Sequence, residues 1–213
     1  MDADYTHITI ILDRTGSMEA IRDDTIGGFN AFLKDQQAQA GRATLTLVQF
    51  DSKDPYEVIH SFLPVAEVPP LTRETYQPRA TTPLLDAIGH GILDLQDQID
   101  DLPEQSRPGQ VLFVVLTDGR ENASREFKKE EVAQLISEKQ ENGWKFVFLG
   151  ADFEAIDDAR SLGVTRDALY QFAHTGEGVA EAWHDLSLST SAMRCASDEE
   201  VDFFRHRKEP KGS

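Results

Sequence analysis

The sequence predicts an α/β fold with a mostly parallel central sheet that is covered by helices on both faces. Strand-like and helix-like segments alternate along the 213 residues, which is the arrangement that produces parallel strands. Segments 8–12 and 111–116 are almost continuously apolar, as is typical of strands buried on both faces. After Pro83, apolar residues recur at helical spacing as far as Leu102 and predict a long helix with one apolar face.

The other elements follow from the same patterns. The predicted strands are 8–12, 43–50, 56–65, 111–116, 144–149 and 169–172. The predicted helices are 21–33, 84–102, 127–141, 153–161 and 177–194. Pro55 and Pro64 lie at the ends of the third strand and favour an edge position for it, because proline cannot donate to a neighbouring strand. Gly27 and Gly28 disfavour a helix in the middle of the first helical segment.

These elements predict one domain over residues 1–195 and a polar C-terminal tail over 196–213. The length is that of a single domain, and no internal repeat or linker divides the chain. Trp183 lies at helical spacing from Val179 and Leu186, so we expect it in the core.

Charge and composition exclude several classes of function. There are 21 Lys and Arg against 38 Asp and Glu, which gives a net charge of −17 and argues against nucleic acid and anionic membranes as partners. The single cysteine, Cys195, excludes an internal disulfide framework. Met1–Asp4 is acidic where a secretory signal is basic, and the first apolar run is far too short to span a bilayer. We therefore expect a cytoplasmic protein.

Polar turns follow the carboxyl ends of the two most apolar strands, which is where parallel sheets bind ligands. In the first turn Asp13, Thr15 and Ser17 alternate, so that three oxygen-bearing side chains point to a common centre. Thr82 and Asp118 are expected at the same rim. Five oxygen ligands, of which only two are carboxylates, suit a hard divalent cation such as Mg²⁺. A metal with this ligand set can accept a further carboxylate from outside.

A resemblance to a known family strengthens this interpretation. The residues that carry it are Asp13-Arg14-Thr15-Gly16-Ser17-Met18, Thr82-Pro83-Leu84-Leu85-Asp86-Ala87-Ile88 and Leu116-Thr117-Asp118-Gly119. Together they resemble the von Willebrand factor A (VWA) domain family, whose metal-ion-dependent adhesion site (MIDAS) combines a DxSxS motif with a distant Thr and a distant Asp. The resemblance covers about residues 6–160. Thr15 replaces the usual serine, and Thr82 is preferred to Thr81 because it directly precedes the Pro-Leu of the family pattern.

The resemblance implies a Rossmann-like sheet with one antiparallel edge strand and a site for Mg²⁺, or for Mn²⁺ in its place. Thr15 and Ser17 would bind the metal directly, Thr82 directly or through water, and Asp13 and Asp118 largely through water. The open position on the metal would take an Asp or Glu side chain from a partner protein. Members of the family also work beside AAA+ ATPases, so an AAA+ ATPase or another assembly component is an expected class of partner.

Other interpretations remain open at this point. Asp13 could be only a cap, and Asp118-Gly119 only a turn. The chain could be a metal-assisted phosphoryl hydrolase, with Asp86 and Glu121 as the nearest general bases in sequence, although Thr15 stands where such enzymes need a second Asp. A P-loop nucleotide site is excluded because GxxxxGK[ST] does not occur. A metal-free acidic scaffold or regulatory subunit is the third function considered.

The histidines have no metal-ligand spacing, and we expect them to be structural or surface residues. The six are His7, His60, His90, His174, His184 and His206. We expect His7 just before the first strand and His90 within a helix.

Overall fold

The computed structural model of the protein describes residues 2–151, 153–195 and 203–204, and a six-stranded sheet forms the centre of this part of the chain. The strands are β1 (Asp2–Asp13), β2 (Arg42–Asp51), β3 (Asp54–Pro64), β4 (Pro108–Thr117), β5 (Lys145–Gly150) and β6 (Leu169–Gln171). Their order is β3-β2-β1-β4-β5-β6. β3 is antiparallel to β2, and the other four pairs are parallel. The predicted fold, including the antiparallel edge strand, is confirmed.

Helices cover both faces of the sheet. They are α1 (Arg22–Ala38), α2 (Leu84–Asp100), α3 (Lys129–Glu141), α4 (Phe153–Ser161) and α5 (Gly176–Cys195), and a 3₁₀ turn (Gly16–Ile21) leads into α1. One buried cluster joins the sheet to α1 and α5, and a second joins it to α2, α3 and α4. In the described parts of the chain, no helix combines the length and apolar character that a membrane crossing requires.

The two faces of β1 explain its apolar sequence. Ile8, Ile10 and Leu12 pack in the cluster with α1 and α5, whereas Ile11 packs in the opposite cluster beside Phe113. All five side chains are fully buried, because successive residues of a strand point to opposite faces and both faces here are covered by helices. Each such side chain stabilises the fold by about 1.5–3 kcal/mol.

Gly28 allows α1 and α5 to approach each other closely. A Cβ atom on Gly28 would lie 2.1 Å from a ring carbon of Trp183, so a larger residue does not fit there. The helix continues through both glycines, although the sequence disfavoured a helix at this point. Packing against Trp183 therefore outweighs the helix propensity of glycine. Trp183 is buried, which confirms its prediction as a core residue.

His7 lies inside β1 rather than before it, because the strand begins earlier than the apolar run suggests. Its Nδ1 is 2.8 Å from the Thr44 hydroxyl, its Nε2 is 3.1 Å from the Thr9 hydroxyl, and its ring stacks on Phe62. Burial lowers the pKa of His7 to about 3. The residue is structural, as predicted.

Two residues of the predicted tail are described. Phe203 is buried in the cluster with α1 and α5, and the ring of Phe204 lies 4.9 Å from that of Tyr170. The remainder of 196–213 lies outside the described residues, so the boundary after Cys195 stays a prediction. Cys195 itself is free and exposed at the end of α5.

Candidate metal centre

The candidate centre lies where the strand order reverses. β1 pairs with β2 on one side and with β4 on the other, and Leu12 is in register with Leu116. The carboxyl ends of β1 and β4 therefore adjoin each other; Asp13 is the last residue of β1, and Asp118 directly follows β4. Open α/β sheets bind ligands at this kind of crevice.

Asp13 is a fully buried carboxylate. Its Oδ1 accepts a hydrogen bond from the Thr15 amide at 2.7 Å, and its Oδ2 accepts one from the Thr117 hydroxyl at 2.6 Å. Within the described residues, no Lys, Arg or His forms an ion pair with it. Burial raises the pKa of Asp13 to about 7; the Thr117 bond opposes this shift and the charge of Asp118 adds to it. The site is therefore short of positive charge.

Three hydroxyl groups lie beside the two carboxylates. The Thr15 hydroxyl is 3.2 Å from that of Ser17, which donates to Asp118 Oδ1 at 2.7 Å. The hydroxyls of Thr82 and Ser17 lie 3.6 and 3.8 Å from the position that a Cβ on Gly119 would take, so both face that backbone segment. The structure thus brings the residues predicted from the sequence to one rim of the sheet.

Thr82 and its neighbour Thr81 occupy different environments. Thr82 is buried, its amide donates to Asn122 Oδ1 at 2.9 Å, and its carbonyl accepts from the Asn122 amide at 3.0 Å. Thr81 is exposed, and its amide donates to the Ser52 hydroxyl. The geometry favours Thr82 as the threonine of the site.

One carboxylate oxygen of Asp118 lies against a histidine side chain. This oxygen, Oδ2, is buried, and the Nε2 atom of His174 lies 3.0 Å from it. Burial raises the pKa of Asp118, while the hydrogen bond from Ser17 and the charge and hydrogen bond of His174 oppose the shift. The sequence alone did not place His174 at this site; its position three residues after the end of β6, at the same edge of the sheet, is the signal that could have found it.

Asp86 and Glu121, the general bases considered from the sequence, instead hold the loop that follows β4. Glu121 accepts hydrogen bonds from the amides of Leu85, Ala123 and Ser124. Asp86 accepts from the amides of Arg125, Glu126 and Phe127. Both carboxylates are occupied by backbone groups.

A second buried carboxylate, Asp51, lies at the end of β2. It accepts hydrogen bonds from Arg14 Nε and Arg79 Nε, both at 2.9 Å. Burial tends to raise the pKa of Asp51, but the Lys53 amide, Arg79 and Arg14 hold it below its ordinary value. The Arg14 side chain points to Asp51 and anchors the turn after β1 on the side of β2. The hydroxyls of this turn face the opposite side, towards Asp118.

The donor set fits a hard divalent cation. In the described part of the chain, no three His, Cys, Asp or Glu side chains are grouped closely enough to hold a metal by themselves, so hydroxyls have to complete the coordination. Hydroxyl and carboxylate oxygens are the ligands that Mg²⁺ and Mn²⁺ accept. The buried Asp13 also lacks the positive charge that such an ion supplies.

No protein-family model and no curated protein matches the sequence. Among solved structures, the fold is similar to proximal thread matrix protein 1 from the mussel byssus, with a TM-score of 0.60, 14% identity, and coverage of 91% of this chain and 47% of that one. The VWA domain of SpRpn10 matches with a TM-score of 0.53 and 11% identity over 85% of this chain and 94% of that domain. Manganese-loaded TRAP protein from Plasmodium vivax matches with a TM-score of 0.56 and 14% identity over 84% of this chain and 72% of that protein.

These similarities define the class of fold: the chain has the fold of a VWA domain. A further structure of the mussel byssus protein, at 15% identity, TM-score 0.59 and coverage of 89% of this chain and 47% of that one, has a zinc-occupied MIDAS motif. The present chain spans about half of the length of that protein.

Proposed function

We propose that this chain is a metal-dependent protein-binding module. Mg²⁺, or Mn²⁺ in its place, is held by Asp13, Thr15, Ser17, Thr82 and Asp118, and an Asp or Glu side chain of a partner protein completes the coordination. The observation that carries the proposal is the fully buried Asp13 carboxylate, which has no cation beside it among the described residues and lies next to a row of hydroxyls.

The ligand set explains why a partner carboxylate is needed. Hydroxyls are neutral ligands, so the metal keeps most of its ability to attract a further anionic oxygen. Ser17 is exposed, which gives a partner access to the metal from solvent. The zinc-occupied MIDAS of the mussel byssus protein and the manganese-loaded TRAP protein support a divalent ion at this edge of the fold.

A binding function is favoured over hydrolysis by the positions of the remaining carboxylates. Asp86 and Glu121 accept hydrogen bonds from backbone amides of the loop after β4 and are not free to act as general bases. The proposal places the protein in the cytoplasm, with an AAA+ ATPase or another assembly component as the class of partner. The pilus adhesin SpaC and the VWA domain of SpRpn10 share the fold and support a partner that is a protein.

The metal site is tested by calorimetric titration of Mg²⁺ and Mn²⁺ into the wild type and an Asp13→Ala/Asp118→Ala variant. We expect saturable 1:1 binding to the wild type and none to the variant. Asp23→Ala is a matched control, because Asp23 is an exposed carboxylate paired with Arg73. Binding that is equal in all three proteins would contradict the assignment.

The partner carboxylate is tested by repeating the titration with acetate and with a peptide that contains Glu, using a Gln peptide as the control. We expect the Glu peptide to bind only when Mg²⁺ is present. Peptide binding that survives EDTA and weakens with salt would instead support the metal-free acidic scaffold, since exposed charges are screened by salt.

A further inference from the structure

The segment 68–82, which precedes α2, packs into the core without forming a helix or a strand. Leu71 and Tyr76 are buried in the cluster with α1 and α5. The Asn30 side chain on α1 donates to the Leu71 carbonyl at 2.9 Å and accepts from the Leu71 amide at 2.8 Å. The segment is therefore attached to α1 before it reaches Thr82.

A turn within this segment presents the Tyr76 side chain to the end of β1. The Tyr76 amide donates to the Thr72 carbonyl at 3.0 Å, and the Gln49 side chain on β2 donates to the Thr75 carbonyl at 3.0 Å. The Tyr76 side chain is fully buried. Its hydroxyl donates to the backbone carbonyl of Asp13 at 2.6 Å.

This hydrogen bond holds the peptide group between Asp13 and Arg14. The Arg14 amide, which belongs to the same peptide group, donates to the Phe50 carbonyl of β2 at 3.0 Å. Because a peptide group is planar, the two bonds set the direction in which the chain enters the turn after β1. Burial, followed by the charges of Asp13 and Asp118, raises the pKa of Tyr76 well above its ordinary value. The hydroxyl therefore keeps its proton and remains a donor.

Two backbone hydrogen bonds join the same segment to the turn itself. The Arg79 amide donates to the Arg14 carbonyl at 2.9 Å, and the Gly16 amide donates to the Ala80 carbonyl at 3.1 Å. Ala80 has a φ of 62°, in the left-handed region that is unfavourable for residues other than glycine. Such strain persists only where surrounding contacts require it, and it is frequent at binding sites. The path of the segment towards Thr82 is thus fixed by its contacts with the turn.

We propose that Tyr76 is a positioning residue for the metal site: its bond to the Asp13 carbonyl holds the turn after β1 in place against the segment that ends at Thr82. The candidate hydroxyl ligands come from both parts, Thr15 and Ser17 from the turn and Thr82 from the segment. They are arranged for a metal before it binds only if the two parts keep their relative position. This inference rests on the proposed function, because it concerns the same site.

The test compares the Mg²⁺ affinity of the wild type, Tyr76→Phe and Tyr5→Phe by calorimetric titration. Tyr76→Phe keeps the buried ring and removes only the hydroxyl. We expect it to lose Mg²⁺ affinity by roughly tenfold or more, as residues that orient metal ligands do. Tyr5→Phe is the matched control, because Tyr5 is also buried on β1 and its hydroxyl makes a 2.7 Å hydrogen bond with that of Thr44. We expect this control to bind Mg²⁺ like the wild type.

The electron paramagnetic resonance spectrum of bound Mn²⁺ gives a second readout, because it responds to the arrangement of the ligands and not to the stability of the fold. We expect a changed spectrum in Tyr76→Phe and an unchanged one in Tyr5→Phe. Urea denaturation of the three proteins measures the stability that each variant loses. A merely structural hydroxyl would lower stability and leave both the Mg²⁺ affinity and the Mn²⁺ spectrum as they are in the wild type.

The outcomes separate the two proposals. Wild-type Mg²⁺ affinity and an unchanged Mn²⁺ spectrum in Tyr76→Phe would overturn the positioning role, and the proposed metal site would stand. Equal losses of affinity in Tyr76→Phe and Tyr5→Phe would overturn it as well, because the effect would then follow from the loss of a buried hydrogen bond at any place in the fold. If the wild type binds neither ion, both proposals are wrong.

Discussion

Asp13 and Asp51 are two fully buried carboxylates at the ends of neighbouring strands, and they differ in their counter-charges. Asp51 has two guanidinium groups, from Arg14 and Arg79, within hydrogen-bond distance. Asp13 has only hydrogen bonds from neutral groups. A buried charge is tolerated when a partner neutralises it. The chain itself neutralises Asp51, whereas the proposed function assigns the counter-charge of Asp13 to a metal ion. The difference supports the proposed metal site without reference to any relative.

The pKa values follow the same division. The pKa of Asp51 lies below its ordinary value, whereas burial raises that of Asp13 to about 7. A raised pKa in the folded state means that ionised Asp13 destabilises the metal-free fold. This cost is absent at a pH below about 4 and is complete once the pH exceeds about 7.

Removal of the Asp51 charge gives the largest expected loss of stability. Asp51→Asn leaves Arg14 buried without its main partner, and we expect the free energy of unfolding to fall by about 3–5 kcal/mol. Urea denaturation measures this. Asp23→Asn is the control: it breaks an exposed pair with Arg73, and we expect little change. Similar losses of stability in both variants would contradict the interpretation that Asp51 is a buried carboxylate neutralised by its arginine partners.

His7 tests whether burial alone sets the cost of a charge in this core. Its pKa in the folded state, about 3, is below the ordinary 6.5, so its contribution to stability is complete above pH 6.5 and is lost as the pH falls towards 3. His7→Gln removes this dependence. We expect the difference between wild type and variant to change by about 1.4 kcal/mol per pH unit in that window. Denaturation between pH 4 and 8 measures it, and a constant difference would contradict the account.

The adjacent residues Thr81 and Thr82 test which threonine belongs to the proposed metal site. Thr82→Ala removes a buried hydroxyl that faces Gly119, and we expect Mg²⁺ affinity to fall by roughly tenfold. Thr81→Ala is the matched control, because Thr81 is the adjacent residue and is exposed. Calorimetric titration of Mg²⁺ into both variants measures the two affinities. An effect of Thr81→Ala equal to that of Thr82→Ala would show that the assignment is wrong.

Much of the fold could be predicted, because the periodicity of apolar residues indicates which side chains are buried and turn residues indicate where elements end. The run Val111–Leu116 and the spacing after Pro83 were sufficient to place β4 and α2. The start of β1 could not be placed, because His7 is polar in sequence and its burial depends on a hydrogen bond with Thr44, which only the pairing of β1 with β2 brings beside it. The continuity of α1 depends on Trp183 in a distant helix.

The site was predictable to the extent that its residues follow strand ends. Asp13 and Asp118 do so, and a parallel sheet brings such ends together. His174 was not found, because its contact with Asp118 depends on the path of the loop after β6. The role of Arg14 also depends on long-range contacts, since its partners lie on β2 and β3.

The most direct test of the central claim is the free energy of unfolding of the wild type and Asp13→Asn at pH 7.5, with EDTA and with Mg²⁺. The asparagine can keep both hydrogen bonds, since its oxygen accepts from the Thr15 amide and its amide donates to the Thr117 hydroxyl. We predict that without metal Asp13→Asn is more stable than the wild type by on the order of 2–4 kcal/mol, and that Mg²⁺ stabilises only the wild type. A less stable variant in EDTA, or equal stabilisation of both proteins by Mg²⁺, would contradict the claim that Asp13 lacks a counter-charge that a metal supplies.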